Sequence, residues 1–220
     1  MTMKNTTIDH HLTDALLMAY AAGALPEAFN LTVAAHISMC DECRARLGAF
    51  ECVGGAVLEQ AEAVPMSEGS LGATLARIRE GGPAEAPRTP RPADGVLPAP
   101  LHEYVGGDLD VVRWRPVGMG VKQAILPTSS EATARLLYIP AGAAVPDHGH
   151  RGTELTLVLQ GAFVDETDRF GPGDIEIADE EMDHMPVADI GADCICLAAT
   201  DASLRFRGIG PRLAQPFLRI

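Results

Sequence analysis

The stretch GGPAEAPRTPRPADG, residues 81–95, sets the architecture of the chain. It holds four prolines and no large apolar side chain, so it cannot build a core and reads as a linker. The apolar residues recur with one period before it and with another after it. That change of period predicts a helical unit over residues 1–82, a linker over 83–95 and a β unit over 96–220.

Before the linker the spacing is helical. Leu16, Leu17 and Tyr20 recur at three-to-four intervals, and Gly23 can cap the end of that helix. Pro26 suits the first turn of a second helix, which Leu31, Val33, Ala34 and Ile37 carry toward Cys40. A third helix is expected from Asp41 to about Ala63, with Leu47, Phe50, Val53 and Val57 as its buried stripe and Cys52 in its core. A fourth, SLGATLARIRE, places Leu71, Leu75 and Ile78 on one face. That face suits core packing and a partner's groove equally.

After the linker the runs are short and strand-like: DVVRWRPV, ARLLYIP, ELTLVLQG, AFVDET, GDIEIAD and DCICLAAT. Gly, Pro and acidic turns separate them at regular intervals. This is the pattern of a small β-barrel or jelly roll.

Charge narrows the function. The 220 residues carry a net charge of −13 and no run of Lys or Arg. Phosphates would repel such a surface, so direct nucleic-acid binding is excluded and a basic protein is the expected partner. No apolar run approaches the roughly 18 residues of a membrane helix, and the chain reads as cytoplasmic. Five cysteines in a reducing compartment point to metal or redox chemistry rather than a disulfide framework.

The segment AHISMCDECRARLG has the spacing H-x3-C-x2-C at His36, Cys40 and Cys43. His36 and Cys40 lie four apart on a helix and share a face. Cys43 follows from the turn into the next helix. Zn2+ takes four such ligands in a tetrahedron, and His11, just ahead of the first helix, can supply the fourth; His10 is its neighbour. A bland alternative makes these core residues. A thioredoxin-like C-x2-C lacks its βαβ surroundings here.

In the second half, residues 142–161 read G-x5-H-x-H-x3-E-x6-G. His148 and His150 share a strand face. From Gly173 a second, partial pattern reaches His184. Cys194 and Cys196, at i and i+2 of a strand, also share a face, as buried structural or as sensory thiols. Geometry disfavours a disulfide between them.

These motifs carry a resemblance. Residues 11–44, HLTDALLMAYAAGALPEAFNLTVAAHISMCDECR, resemble the zinc-binding anti-sigma domain, which has a histidine before LLxxYAAGxL and then H-x3-C-x2-C. The second-half patterns resemble the two cupin motifs, though the proline, second glycine and asparagine of the second motif are absent. The resemblance implies His11, His36, Cys40 and Cys43 as zinc ligands. It implies His148, His150, Glu154 and His184 as ligands of a second divalent metal, with Zn2+ the first candidate.

In this order the two parts resemble the ChrR-type anti-sigma factors over nearly the whole chain. That implies a zinc-clipped four-helix anti-sigma domain followed by a cupin barrel. It also implies a cytoplasmic regulator with no catalytic role, holding an extracytoplasmic-function sigma factor in a 1:1 complex. Release would follow singlet oxygen sensed through the cupin. The rival classes are a cupin metalloenzyme of dioxygenase type and a metal or small-molecule sensor.

Overall fold

The structure, a computed structural model, describes residues 7–81, 95–146, 148–149, 151–202 and 205–206. Residues 83–94 of the expected linker, His150 and the tail GIGPRLAQPFLRI lie outside these residues, and for His148 only the backbone is described.

The first half is helical. Thr13 caps α1 (Asp14–Ala21), its hydroxyl oxygen accepting the Leu16 amide at 3.3 Å. Gly23, at φ +66°, ends the helix. The Ala24 amide returns to the Ala19 carbonyl at 2.9 Å and the Gly23 amide to that of Tyr20 at 3.0 Å, a Schellman closure. Helix α2 (Glu27–Met39) follows Pro26, and α3 (Asp41–Glu59) and α4 (Ser70–Glu80) follow in turn.

The expected buried stripe on α3 holds for its first turns alone. Leu47 is buried, but Val53 and Val57 are 63% and 65% exposed, and Cys52 is exposed rather than in a core. Helix α1 has 8 residues against the 19 of α3, about 12 Å against 28 Å, so the far half of α3 outruns its cover. A fifth helix, α5 (Ala99–Val105), had no clear signal in the sequence; it sits beyond the linker yet lies against α2.

The second half is antiparallel. Strands β1 (Arg115–Gly118), β2 (Val121–Ile125), β3 (Thr133–Ile139), β11 (Cys194–Thr200), β5 (Glu154–Gln160) and β8 (Ile175–Ala178) form a six-stranded sheet in the order β1-β2-β3-β11-β5-β8. Strands β10 (Val187–Ala188), β6 (Phe163–Val164) and β7 (Arg169–Phe170) form a second sheet, in that order. Strands β12 (Arg205–Phe206), β4 (His148–Gly149) and β9 (Asp183–His184) form a third.

Strand β11 is buried along its whole length because both faces are covered. Cys194 and Cys196 look inward onto Val158, Phe163 and Phe170. Ile195, Leu197 and Ala199 look the other way, into a cluster they share with Leu136, Leu155 and Leu157 and with helix residues Leu17, Phe29 and Val33. Helix α2 lies across β11, β3 and β5, and is itself buried on most sides. Helix α2 therefore roofs the outer face of the large sheet, and one apolar core runs through both halves.

Polar contacts fix this packing at two places. The Asp9 and His10 amides donate to one oxygen of the buried Asp174 carboxylate at 2.7 and 2.9 Å, and the Gly171 amide donates to the other at 2.7 Å. At the far side, Glu27 of α2 accepts the Tyr104 hydroxyl at 2.8 Å and the Ser129 amide at 2.6 Å. Gly173 has φ +94°, and a Cβ there would stand 2.5 Å from Ile8 Cδ1.

Gly173→Ala should cost at least about 1 kcal/mol through the positive φ, before any cost of displacing Ile8. In a chain of this size that is a fall in Tm of about 2–4 °C, read by thermal melting. Asp174→Ala leaves three amides without their acceptor and should cost more, about 3 kcal/mol. A Tm unchanged in both would mean that residues 8–10 do not hold the barrel in solution.

Candidate metal centres

The first centre forms where α2 ends. Cys40 closes α2 and opens α3, its sulfur accepting the Cys43 amide at 3.4 Å. That cap turns both thiols toward the residues before α1. His11 Nδ1 lies 3.3 Å from Cys40 Sγ and 3.7 Å from Cys43 Sγ. One ligand atom from each of His11, His36, Cys40 and Cys43 lies within 4.8 Å of every other. For a tetrahedral ion at ordinary Zn–S and Zn–N lengths, neighbouring sulfur and nitrogen ligands stand about 3.5 Å apart, which matches these separations.

His36 supplies the test of fit. It is completely buried, and neither ring nitrogen makes a hydrogen bond of good geometry among the described residues, although the Gly173 backbone stands near enough to favour the charged ring. Two orphaned polar atoms in a core carry a desolvation cost that a metal bond removes. Burial lowers the His36 pKa to about 4, with the Gly173 backbone offsetting part of the shift, so the ring is neutral and able to ligate.

Burial also pushes the Cys43 thiol up to about 11, and a bound dication would reverse that preference. Around this set, Glu42 Oε2 stands 3.4 Å from His11 Nε2 and fixes the ring from behind. Arg46 bridges Asp14 at 2.5 Å and reaches Cys43 Sγ at 3.9 Å. A donor set of two thiols and two imidazoles suits Zn2+.

His10 takes a different part. Its ring turns away from the cysteines, lies tilted against Phe170 with ring centroids 4.3 Å apart and meets Asp168 at 3.2 Å. Of the two adjacent histidines, His11 is the one in the cluster.

The second centre lies inside the β fold. Backbone register places His148 of β4 directly opposite His184 of β9, and Glu154 opens β5 between Ala178 and Thr200. Glu154 and His184 are buried. The Thr156 hydroxyl donates to Glu154 Oε1 at 3.1 Å. A buried imidazole and carboxylate, with a second histidine in register on the neighbouring strand, are donors that suit a divalent ion bound by nitrogen and oxygen, but among the described residues the ligand atoms gathered around His184 are those of Asp165 and Glu176, not Glu154.

Two residues that the sequence did not single out join this centre. Glu176 Oε1 lies 2.9 Å and Asp165 Oδ2 3.3 Å from His184 Nδ1, and both carboxylates are shielded from solvent. Burial raises Glu176 to about 7, and contact with His184 restrains the rise. Burial opposes ionisation of Asp165 too, but hydrogen bonds with Glu176, with the Thr167 hydroxyl and with two turn amides outweigh it and hold Asp165 well below the carboxylate range. His184 is pushed down by burial and raised more strongly by Glu176, to about 9.

One signal for Glu176 was present: in GDIEIAD it alternates with Ile175 and Ile177, which face the helices, so it must face the barrel interior.

Cys194 and Cys196 stand with their sulfurs 3.4 Å apart in the inner cluster, as free thiols. Contact with Cys194 and then burial drive the Cys196 thiol well above its usual pKa, with Glu176 and Glu154 close enough to add to the shift. Leu71, Leu75 and Ile78 are 71%, 40% and 69% exposed, and no residue of α4 is buried.

A helical unit with a four-donor His/Cys cluster is laid on an antiparallel β fold, so the chain is built in two parts. Residues 102–203 match the family model of the ChrR cupin-like domain. Over 214 residues the chain is 63% identical to the anti-sigma-E factor ChrR of Cereibacter sphaeroides, covering 97% of this chain and 100% of that protein. The crystal structure of Rhodobacter sphaeroides SigE in complex with the anti-sigma ChrR aligns at a TM-score of 0.78 and 62% identity, over 89% of this chain and 100% of that one. The chain belongs to the ChrR family of anti-sigma factors.

Cys40→Ser is expected to abolish metal binding at the clip while leaving any second site loaded. It should destabilise the helical half by several kcal/mol. Metal analysis of the purified chain and melting with and without a chelator check this. Full clip occupancy in the variant would remove Cys40 from the ligand set.

Proposed function

We propose that the chain binds an extracytoplasmic-function sigma factor in a 1:1 complex through its helical half and keeps it from RNA polymerase. The observation that carries this reading is the uncovered apolar surface of α3 and α4. Val53, Val57, Leu58, Leu71, Leu75 and Ile78 are all exposed within thirty residues of chain. An apolar surface of this extent on a charged, water-soluble protein marks an interface. α4 meets it with an apolar stripe at helical spacing, the form in which a helix enters a partner's groove. Similarity to a protein named as an anti-sigma factor, and to one solved in complex with a sigma factor, supports the same partner class.

Residues 1–80 carry ten acidic and five basic side chains, a net charge of −5. Sigma factors present basic surfaces to DNA and polymerase, so that charge steers encounter. The protein acts in the cytoplasm, where its partner acts, and no helix among the described residues is long and apolar enough to cross a membrane. Its role is regulatory, not catalytic.

The cupin half supplies the response to singlet oxygen. His148, His150, Glu154 and His184 hold a divalent metal, Zn2+ in the first instance, and Cys194 and Cys196 lie behind it as oxidisable thiols. Cysteine and methionine are on the oxidation ladder, and loss of a ligand loosens a metal-held fold. The shared core gives such loosening a route to the helices.

Replacing Leu71, Leu75 and Ile78 singly by Asp removes apolar burial worth about 1.5–3 kcal/mol each. Binding of the full chain to its sigma factor should weaken at least about tenfold per site, read by titration calorimetry, with clip metal unchanged. Unchanged affinity in all three would move the interface off α4. Replacing His148, His150 and Glu154 by Ala should leave inhibition of transcription intact in the dark. It should abolish release when a photosensitiser dye is illuminated; persistent release would take sensing away from the cupin centre.

A further inference from the structure

His184 Nδ1 faces two carboxylates that belong to no expected ligand set. Glu176 reaches it from β8, the strand paired with β5, at 2.9 Å, and Asp165 reaches it from the turn after β6 at 3.3 Å. The two oxygens of Asp165 are divided between two tasks. Oδ1 accepts the Thr167 amide at 2.8 Å, the Thr167 hydroxyl at 2.7 Å and the Asp168 amide at 3.1 Å. Oδ2 goes to the imidazole. Asp165 is therefore fixed by its own turn before it meets the histidine, and Glu176 by the sheet. Solvent reaches neither carboxylate.

An imidazole ligates through one nitrogen, and the partner of the other nitrogen sets its tautomer, orientation and basicity. We propose that Asp165 and Glu176 are positioning residues of the cupin centre. They take Nδ1 of His184 and so leave Nε2 as the nitrogen that serves the metal. The inference rests on the reading that His148, His150, Glu154 and His184 hold a metal. It adds that the centre's affinity is set partly by two acidic side chains outside the cupin motifs.

The rival arrangement makes the carboxylates direct ligands, since one oxygen of each lies within 4.8 Å of the other and of His184 Nδ1. A carboxamide separates the two. Gln at position 176 keeps an oxygen to accept Nδ1–H but is a poor ligand.

The test uses the full chain loaded with Co2+. Cobalt at the clip gives thiolate charge-transfer absorption, whereas cobalt at a nitrogen and oxygen centre does not, so the two sites are read separately in one sample. Asp165→Ala and Glu176→Ala should each weaken cupin-site Co2+ by about 10–100-fold in chelator competition, with the clip signal unchanged. Glu176→Gln should lose much less than Glu176→Ala and shift the d–d bands.

Wild-type affinity in both Ala variants overturns the proposal. So does a Glu176→Gln variant as deficient as His184→Ala, which would make Glu176 a direct ligand. Should the Ala variants fail to fold, Asp165→Asn and Glu176→Gln carry the test, and unchanged bands with unchanged affinity overturn it. Wild-type protein that takes up no cobalt beyond the clip sinks the metal reading of the cupin itself, and this inference with it.

Discussion

Helix α2 lying on the outer face of β11, β3 and β5 is the contact on which the rest of the structure depends. A strand such as ICLAA is apolar on both faces, and an antiparallel sheet with such a strand cannot leave one face to water. α2 has the complementary property: Phe29, Leu31, Val33, Ala35 and His36 are buried at positions that run around the helix rather than along one stripe. It is enclosed by the sheet, by α5 and by the first turns of α3. The His/Cys cluster then follows from where α2 ends. Its last turn carries His36 into the core, and Cys40 turns the chain so that the two thiols meet His11.

The same packing explains which surfaces are left bare. α1 and α2 cover α3 only as far as Phe50, and nothing in the sheet reaches further. Val53, Val57 and Leu58 are apolar because the sequence continues the helical stripe, and exposed because the fold provides no layer to meet it. α4 repeats this with Leu71, Leu75 and Ile78. A chain that covers most sides of α2 and both faces of β11 leaves the far half of α3 and all eleven residues of α4 uncovered, and that contrast sets this surface apart from the scaffold.

Much of this was legible in the sequence, and the failures have physical causes. The His/Cys cluster was readable because H-x3-C-x2-C puts three donors at one helix end whatever the surroundings, the fixed spacing that metal ligation demands. The helices before the linker and the main strands after it followed from period alone. Cys52 and the end of the α3 stripe did not, because periodicity marks which residues share a face and says nothing of whether a neighbour is there to cover it. Helix α5 was missed for the opposite reason: seven residues beginning APL carry little helical signal, and contact with α2 stabilises them. Asp165, Glu176 and Asp174 were missed because each acts across eight or more residues of sequence, through contacts that only the fold creates.

The turn and strands from Asp165 to Asp174 show how closely the two centres are built together. At one end Asp165 touches His184 of the cupin centre. Within the turn, the Asp168 amide is held by Asp165, and the Asp168 carboxylate meets the His10 ring. At the other end Gly173 and Asp174 receive Ile8, Asp9 and His10, the residues immediately before the clip ligand His11. Phe170, between them, packs tilted against His10 and stacks on Phe163 of the inner core. Ten residues thus contact the surroundings of both centres through hydrogen bonds of ordinary length. Gly173 is also the opening glycine of the second cupin-like pattern, and its positive φ lets the backbone approach the helical half without a Cβ in the way. The feature that shapes the barrel's own turn is therefore the one that admits the neighbouring half. Movement of this turn would disturb the surroundings of both candidate sites at once.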